Sequence, residues 1–345
     1  MPTSFRSAAI AAGATLVLGS VIIVAVSIGS IGVPVKDVWA IIADRALPGR
    51  LVQNWAVSDE HIVWNLRLPR VLLGAVVGAA LAVSGAALQA LTRNPLADPF
   101  LFGVSSGAAL AAVASLTGTL GPLAGLSLSA SAFVGALATT FVVFALAANH
   151  GRLDVLRLVL SGVAVAQVCS ALTTVLLLSV SGRDSAVTSV LAWLGGSLAR
   201  ATWDGLAAPL LSTAIGVIAL LAVSSSLNAV SLGDDTALAV GVDVGRLRVG
   251  VFVVTSLLVG VVVARSGAIG FVGLMVPHMV RRLVGTDHRR LLIWVAYVGA
   301  LLMVVVDLVG RVVIAPNEVP VGVMTALIGG PFFIWILRHR SGRFA

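Results

Sequence analysis

Apolar runs of bilayer-crossing length recur along nearly the whole chain, separated by short polar or charged breaks. They cover approximately 8–31, 71–90, 101–116, 126–148, 155–180, 206–226, 249–263, 268–283, 291–309 and 319–337. A helix needs roughly 17–25 residues to cross a bilayer, and tilt or shortening absorbs the remainder. The pattern therefore predicts an all-α integral membrane fold of about ten transmembrane helices. An eight- or nine-helix count stays open, because the 249–263 and 268–283 runs are short. No soluble-type stretch is long enough for a separate domain, so residues 1–345 read as a single transmembrane domain, with 33–66 as a first periplasmic segment and 228–247 as a cytoplasmic loop.

Local chemistry sharpens several boundaries. Asp98-Pro99 reads as an N-cap followed by proline at the first helical position, opening the third span. Gly74, Gly78 and Ala82, and likewise Gly103, Gly107 and Ala111, place small residues on one helical face, which lets helices approach closely in lipid. Residues 187–199 are too broken by Gly195, Gly196 and Ser197 to cross; a short helix at the outer mouth is expected there, with Trp193 at interface depth.

Composition agrees with the pattern. With 59% hydrophobic residues, 10% charged residues and a mean hydropathy of +1.09, the chain cannot hide its apolar surface against itself in water. The net charge of +8 does not point to nucleic acid, because the arginines sit in short loops and at segment ends. Ten crossings put both termini on one side, and both are basic through Arg6, Arg338, Arg340 and Arg343. That side is expected to be the cytoplasm of a bacterial cell, the protein lying in its inner membrane. Arg93, Arg152, Arg157, Arg246, Arg248, Arg281, Arg282, Arg289 and Arg290 add to the inner side, against Lys36, Arg45, Arg50, Arg67 and Arg70 in or beside the first outer segment. The first apolar run is longer than a signal-peptide core and lacks a convincing cleavage site, so it reads as a retained span. Cys169 lies alone in an apolar segment and reads as a small core residue.

Reactive chemistry is sparse. Lys36 is the only lysine, and no G-x-x-x-x-G-K-[ST] phosphate loop surrounds it. The five histidines show no metal-ligand spacing, and no nucleophile–base pair is evident. Asp307 is the main ionisable residue inside a span. It stands four positions before Arg311, which suits a helical ion pair, the other reading being a proton relay of an ion-coupled secondary transporter. Two further segments look built for contact. From Asn228 onward, Gly233 makes a sharp turn and Asp234-Asp235 can cap a short helix ending near Gly241. Residues 267–282 carry closely spaced glycines, a helix break expected around Pro277, a histidine (His278) that reads as a hydrogen-bonded structural residue, and Arg281-Arg282 at the end.

The strings Arg67-Leu-Pro-Arg70, Gly85-Ala-Ala-Leu-Gln89, Asn94-Pro-Leu-Ala-Asp-Pro99, Gly103-Val-Ser-Ser-Gly107, Ser231-Leu-Gly-Asp-Asp-Thr-Ala237, Gly270-Phe-Val-Gly-Leu-Met-Val-Pro-His278 and Pro320-Val-Gly-Val-Met-Thr-Ala-Leu-Ile-Gly329 resemble the permeases for iron-siderophores, haem and vitamin B12. The match covers the chain from Arg67 onward. It implies the permease fold of type II ATP-binding-cassette (ABC) importers, with alternating access between two permease copies or paralogues. The implied partners are a cytoplasmic ABC ATPase dimer, a periplasmic or lipid-anchored substrate-binding protein and the lipid bilayer. No cofactor is expected on this chain, ATP and Mg belonging to the ATPase. By the same resemblance Ser231, Leu232, Gly233, Asp234, Asp235, Thr236, Ala237 and Gly241 are the ATPase-coupling residues. Arg67, Arg70 and Arg311 are the residues that dock the binding protein, with anchoring to lipid headgroups as the other use of such arginines. The turn Asn149-His-Gly-Arg152 corresponds to a cytoplasmic gate, for which the residues themselves support only a short turn.

Overall fold

The computed structural model describes residues 2–48, 53–119, 125–149, 152, 153, 155–179 and 184–340. In chain order the helices are α1 (Pro2–Ser27), α2 (Val35–Ala46), α3 (Val57–Thr92), α4 (Val104–Leu116), α5 (Leu128–Ala147), α6 (Val155–Ser179), α7 (Asp184–Leu194), α8 (Trp203–Ala222), α9 (Ser224–Ser231), α10 (Asp234–Ala239), α11 (Val244–Ser266), α12 (Val272–Val284), α13 (His288–Val312) and α14 (Val321–Arg340). Six of them, α3, α5, α6, α8, α11 and α13, are long and apolar enough to cross a membrane. With α1, α4, α12 and α14, each of the ten expected crossings has a helical counterpart among the described residues. The end of α1 is hydrogen-bonded to Arg67 and Arg311, so its start lies towards the other end of the bundle, the end that carries Arg93, where Trp335 near the end of α14 lies over Arg282. The opposite end carries Arg67.

The core is built on α3. It runs 36 residues, well beyond the expected 71–90 span, because its first turns carry Ser58, Asp59, Glu60, His61 and Asn65, which suit water rather than lipid. Residues His61–Arg67 are wound as π-helix just before Pro69, whose ring crowds the carbonyl four positions back and whose missing N–H leaves it unbonded. Gly78 of α3 meets Gly299 of α13 backbone to backbone, with Ala82 beside it, and Gly107 of α4 meets Gly135 and Thr139 of α5. The small-residue faces therefore do what they were expected to do, except that Gly103 is not on a helical face. It takes a left-handed φ of 76° at a turn. Asp98 does cap, accepting the Phe100 N–H at 2.7 Å, but it opens a separate 3-10 turn, Pro99–Phe102, ahead of α4 rather than the span itself.

The expected break at Pro277 is not there. α12 runs through Pro277, and the chain breaks earlier, at Phe271, which has a φ of 67°. Residues 267–271 are not helical, and Ala268 and Phe271 of this stretch pack against Gly322 and Gly329 of α14. The proline is tolerated for a specific reason. In an α-helix Pro277 would donate to the carbonyl of Gly273, and Gln89 Nε2 of α3 donates to that carbonyl instead, at 3.1 Å. Gln89 Oε1 then accepts from Arg281 Nη1 at 2.5 Å, one further turn along α12. Gly85, one turn before Gln89, faces the Gly273 backbone with no room for a Cβ, so α3 and α12 touch main chain to main chain.

Residues 184–194 form the expected short helix, α7, in which Trp193 is packed against the bundle at 7% exposure, and Leu198 beyond it is fully buried. The Asn149–Arg152 region holds a two-residue antiparallel ladder, β1 (Ala148–Asn149) and β2 (Arg152–Leu153), pairing Asn149 with Arg152. The His150 and Gly151 of that expectation lie outside the described residues. Cys169 is buried in α6.

Candidate coupling and docking sites

The Arg67 end of the bundle is organised by α1. A helix leaves its last four carbonyls without partners inside the helix, and a positive charge there also complements the helix dipole. In α1 these are the carbonyls of Val24, Ala25, Val26 and Ser27. Val24 O accepts the Ile28 N–H. Arg311 Nη2 donates to Ala25 O at 2.7 Å, and Arg67 Nη1 donates to Val26 O at 2.9 Å and Ser27 O at 3.0 Å. Arg311 Nη1 continues to Ile28 O at 3.1 Å, and Arg67 Nη2 to Ile31 O. Both arginines are buried, at 7% and 5% exposure.

Arg70 stands one turn from Arg67 and completes a network. It donates through Nε to Asp307 Oδ1 at 2.9 Å, and its Nη1 pairs with Glu318 at 2.8 Å. Asp307 also pairs with Arg311 at 3.1 Å, the expected four-residue spacing. Asp307 is thus buried between two guanidiniums, the arrangement of an ion pair. Glu318 is 43% exposed and is the one member that reaches the surface. Arg67, Arg70, Arg311 and Glu318 line a cavity of about 350 Å³ together with Gly29, Ile62 and Pro316. Of the three arginines expected to dock a partner, Arg67 and Arg311 thus have their terminal Nη donors engaged inside the molecule, and Arg70 is tied to the surface only through Glu318.

The Arg93 end carries the other expected site. α9 stops at Ser231, Gly233 turns the chain at a φ of 127°, and α10 follows directly with Asp234 and Asp235 in its first turn. The two acids have different work. Asp234 pairs with Arg248 of α11 at 2.8 Å and faces Arg93 at 3.8 Å, fixing α10 to the bundle, whereas Asp235 is exposed. Ala237 is fully buried as the seat of α10. Leu232, Leu238 and Val240 stand out at 77%, 60% and 66% exposure, and Thr236 and Gly241 complete the same outward surface. Gly241 ends the short helix at a φ of 82°, close to where the spacing predicted.

This element is tied to α13 as well. Asn228 of α9 donates through Nδ2 to Asp287 Oδ1 at 2.8 Å and accepts the His288 N–H at 2.9 Å, and His288 Nδ1 lies 2.7 Å from Asn228 Oδ1. The Asn228 amide first, then the Arg289 N–H and the charges of Arg290 and His288, holds the Asp287 carboxyl below the usual carboxylate range despite a small desolvation cost. Sequence reasoning missed Gln89, Arg248, Glu318 and the Asn228–His288 link. Gln89 did leave a signal, as the lone amide near the end of an otherwise apolar run.

A family model described as the FecCD transport family matches residues 15–339. The chain belongs to the FecCD transport family. Among curated members, it is 44% identical over 286 residues to the cobalamin import system permease protein of Halobacterium salinarum, covering 83% of this chain and 76% of that one. It is 42% identical over 306 residues to the hemin transport system permease protein of Yersinia pestis, covering 86% and 90%. It is 41% identical over 286 residues to the Fe(3+)-citrate import system permease protein of Bacillus subtilis, covering 82% and 84%. A solved structure described as a metal-chelate type ABC transporter in an inward-facing conformation superposes with a TM-score of 0.81 at 32% identity, over 96% of this chain and 99% of that one. As a FecCD-family chain the protein is a multi-pass transport permease of the ABC importer kind, with the fold of type II importer permeases.

Proposed function

We propose that this permease carries a bulky metal chelate of the ferric-siderophore, haem or corrinoid class across a bacterial inner membrane by alternating access. In this reading ATP and Mg are bound and hydrolysed on a partner ATPase dimer, and the chain itself performs no covalent chemistry and needs no cofactor. A second permease copy or paralogue completes the pathway. The named cargoes of three relatives differ from one another while the permease sequence stays similar, which favours a binding protein as the part that selects the chelate.

The observation that carries the proposal is the surface around α10. Three large apolar side chains, Leu238 on α10 and Leu232 and Val240 at its two ends, are held out beside Asp235, and the helix is anchored by the Asp234–Arg248 pair. Such a patch between two spans suits burial in a protein partner. The Arg93 end is then the cytoplasmic end, with both termini there. α10 transmits ATP-driven movement, and Asn228 passes it to α13. A chain of this kind works if its two packings lie close in free energy, so that nucleotide on the partner biases one of them.

At the other end a binding protein is proposed to dock by exchange: one of its carboxylates takes the place of Glu318 on Arg70, while Arg67 and Arg311 keep the end of α1 in shape. Charge-assisted, bidentate pairing gives such an exchange its orientation.

The test is co-purification with the ATPase and substrate-stimulated ATP hydrolysis in proteoliposomes. Leu238→Asp with Val240→Asp is expected to abolish both while leaving the permease folded. Wild-type assembly and hydrolysis in that variant would overturn the reading. Chelate uptake without any ATPase would favour the ion-coupled carrier instead.

A further inference from the structure

At the Arg93 end, α3, α12 and the link between α9 and α13 enclose a cavity of about 750 Å³. Its walls include Arg93, Arg281, Arg282, Asn228 and His288. The charge in these walls is poorly balanced. Arg281 donates to Gln89, a neutral amide, and neither Arg281 nor Arg282 is within ion-pair distance of a carboxylate among the described residues. Arg93 reaches Asp234 only at 3.8 Å, a pair in which both side chains are partly exposed and Asp234 is already committed to Arg248. The one acid in the wall, Asp287, is occupied by the Asn228 amide and the Arg289 N–H. Arg281 is half-buried, whereas Arg93 and Arg282 are exposed; cations gathered around one cavity without a counter-charge favour an anion there.

A second observation points the same way. Arg282 lies with its guanidinium 5.5 Å from the ring centre of Trp335 on α14, and Trp335 is 45% exposed. Tryptophan at the end of a crossing helix is typical of headgroup level, so this wall of the cavity sits where a membrane presents phosphate.

We propose that this cavity binds a phosphate anion, with Arg281, Arg282 and Arg93 as its cationic contacts. Hydrogen phosphate and the headgroup of phosphatidylglycerol share that chemistry. Guanidinium recognises phosphate through paired N–H donors, and two or three arginines around one phosphate give a site rather than a diffuse surface field.

The test uses the purified full-length permease in nanodiscs and reads thermal unfolding. In phosphatidylcholine nanodiscs, inorganic phosphate is added alone. In a second arm, phosphatidylglycerol replaces part of the lipid without added phosphate. A ligand well above its dissociation constant raises the midpoint by about 2–4 °C in a chain of this size. A rise with inorganic phosphate that Arg282→Gln at least halves supports a free-phosphate site. A rise only with phosphatidylglycerol, likewise reduced in Arg282→Gln, supports a headgroup site. No rise in either arm, or an equal rise in wild type, Arg282→Gln and Arg281→Gln, overturns the proposal, and an acidic side chain of the ATPase as the true occupant would give the first of these. Should Arg281→Gln not fold because Gln89 loses its partner, Arg282→Gln decides alone, with bound phospholipid counted by native mass spectrometry. Equal counts in it and in wild type, together with an unchanged midpoint shift, overturn the inference.

Discussion

Arg67 and Arg70 are three residues apart on one helix and do different things. Arg67 donates to three carbonyls near the end of α1, while Arg70 joins Asp307 to Glu318. Replacing Arg67 by Gln shortens the reach to those carbonyls and leaves them without donors in a buried setting. Each charge-assisted bond is worth about 1.5–3 kcal/mol and an orphaned buried acceptor costs about 1–3 kcal/mol, so Arg67→Gln is expected to destabilise the permease by about 3 kcal/mol. Thermal unfolding in detergent measures this, and Arg45→Gln, whose ion pair with Glu60 is partly exposed, is the control expected to cost under about 1 kcal/mol. Glu318→Gln is expected to behave in the opposite sense for docking. It frees Arg70, so the affinity for the binding protein rises severalfold and falls more steeply with salt, whereas Arg70→Gln lowers it. An affinity unchanged in both variants removes the exchange from consideration. The sequence places these arginines at the ends of the apolar runs, since charge beside an apolar run is visible directly, although Arg67 and Arg70 lie inside α3 because that helix starts at Val57. It does not reveal that Arg67 and Arg311 turn inward, because their acceptors are backbone carbonyls about 40 and 280 positions away, which carry no side-chain signature.

At the scale of the elements, the crossings are legible because lipid demands long apolar runs. What is not legible is where a helix stops for reasons other than lipid. The start of α3 at Val57 is hidden because its first turns are polar, and a polar stretch reads equally well as loop or as exposed helix. Pro277 misleads in the other direction: a proline inside a helix signals a break, unless another group serves the carbonyl it abandons. Here that group is Gln89, 184 positions from Gly273 in the chain. Gln89→Leu therefore orphans both the Gly273 carbonyl and the Arg281 guanidinium in one step. It is expected to destabilise the α3–α12 contact by about 2–4 kcal/mol, seen as faster hydrogen exchange confined to 272–284 and a lower unfolding midpoint. Gln89→Glu keeps the acceptor for Arg281 and, when ionised, has no donor for Gly273. It is expected to lie between wild type and Gln89→Leu, and equal behaviour of all three proteins would remove Gln89 from its place at the helix.

For the molecule as a whole, the two candidate sites stand at opposite ends of one unbroken rod. α13 begins with His288, held by Asn228 beside the α9–α10 element, and ends with Asp307 and Arg311, which hold Arg70 and the end of α1. Along its length it packs backbone to backbone on α3 through Gly299 and Gly78, so it slides or tilts as a unit more readily than it bends. A binding protein at one end and an ATPase at the other can therefore influence each other without a chain of separate side-chain switches, provided α10 is fastened to α13. Asn228 is that fastening. Asn228→Ala removes the bonds to Asp287 and to His288 while leaving the Asp234–Arg248 anchor and the exposed face of α10 intact. Assembly with the ATPase is thus expected to persist at wild-type affinity, and basal hydrolysis with it. Stimulation of hydrolysis by the loaded binding protein is expected to fall by about tenfold, the effect of roughly 1.4 kcal/mol of lost coupling. Asp234→Ala loosens α10 itself and is expected to lower assembly as well as stimulation, and this difference separates transmission from docking. A variant at Asn228 that loses assembly and stimulation together would place the link in the ATPase contact and leave α13 without a part in coupling.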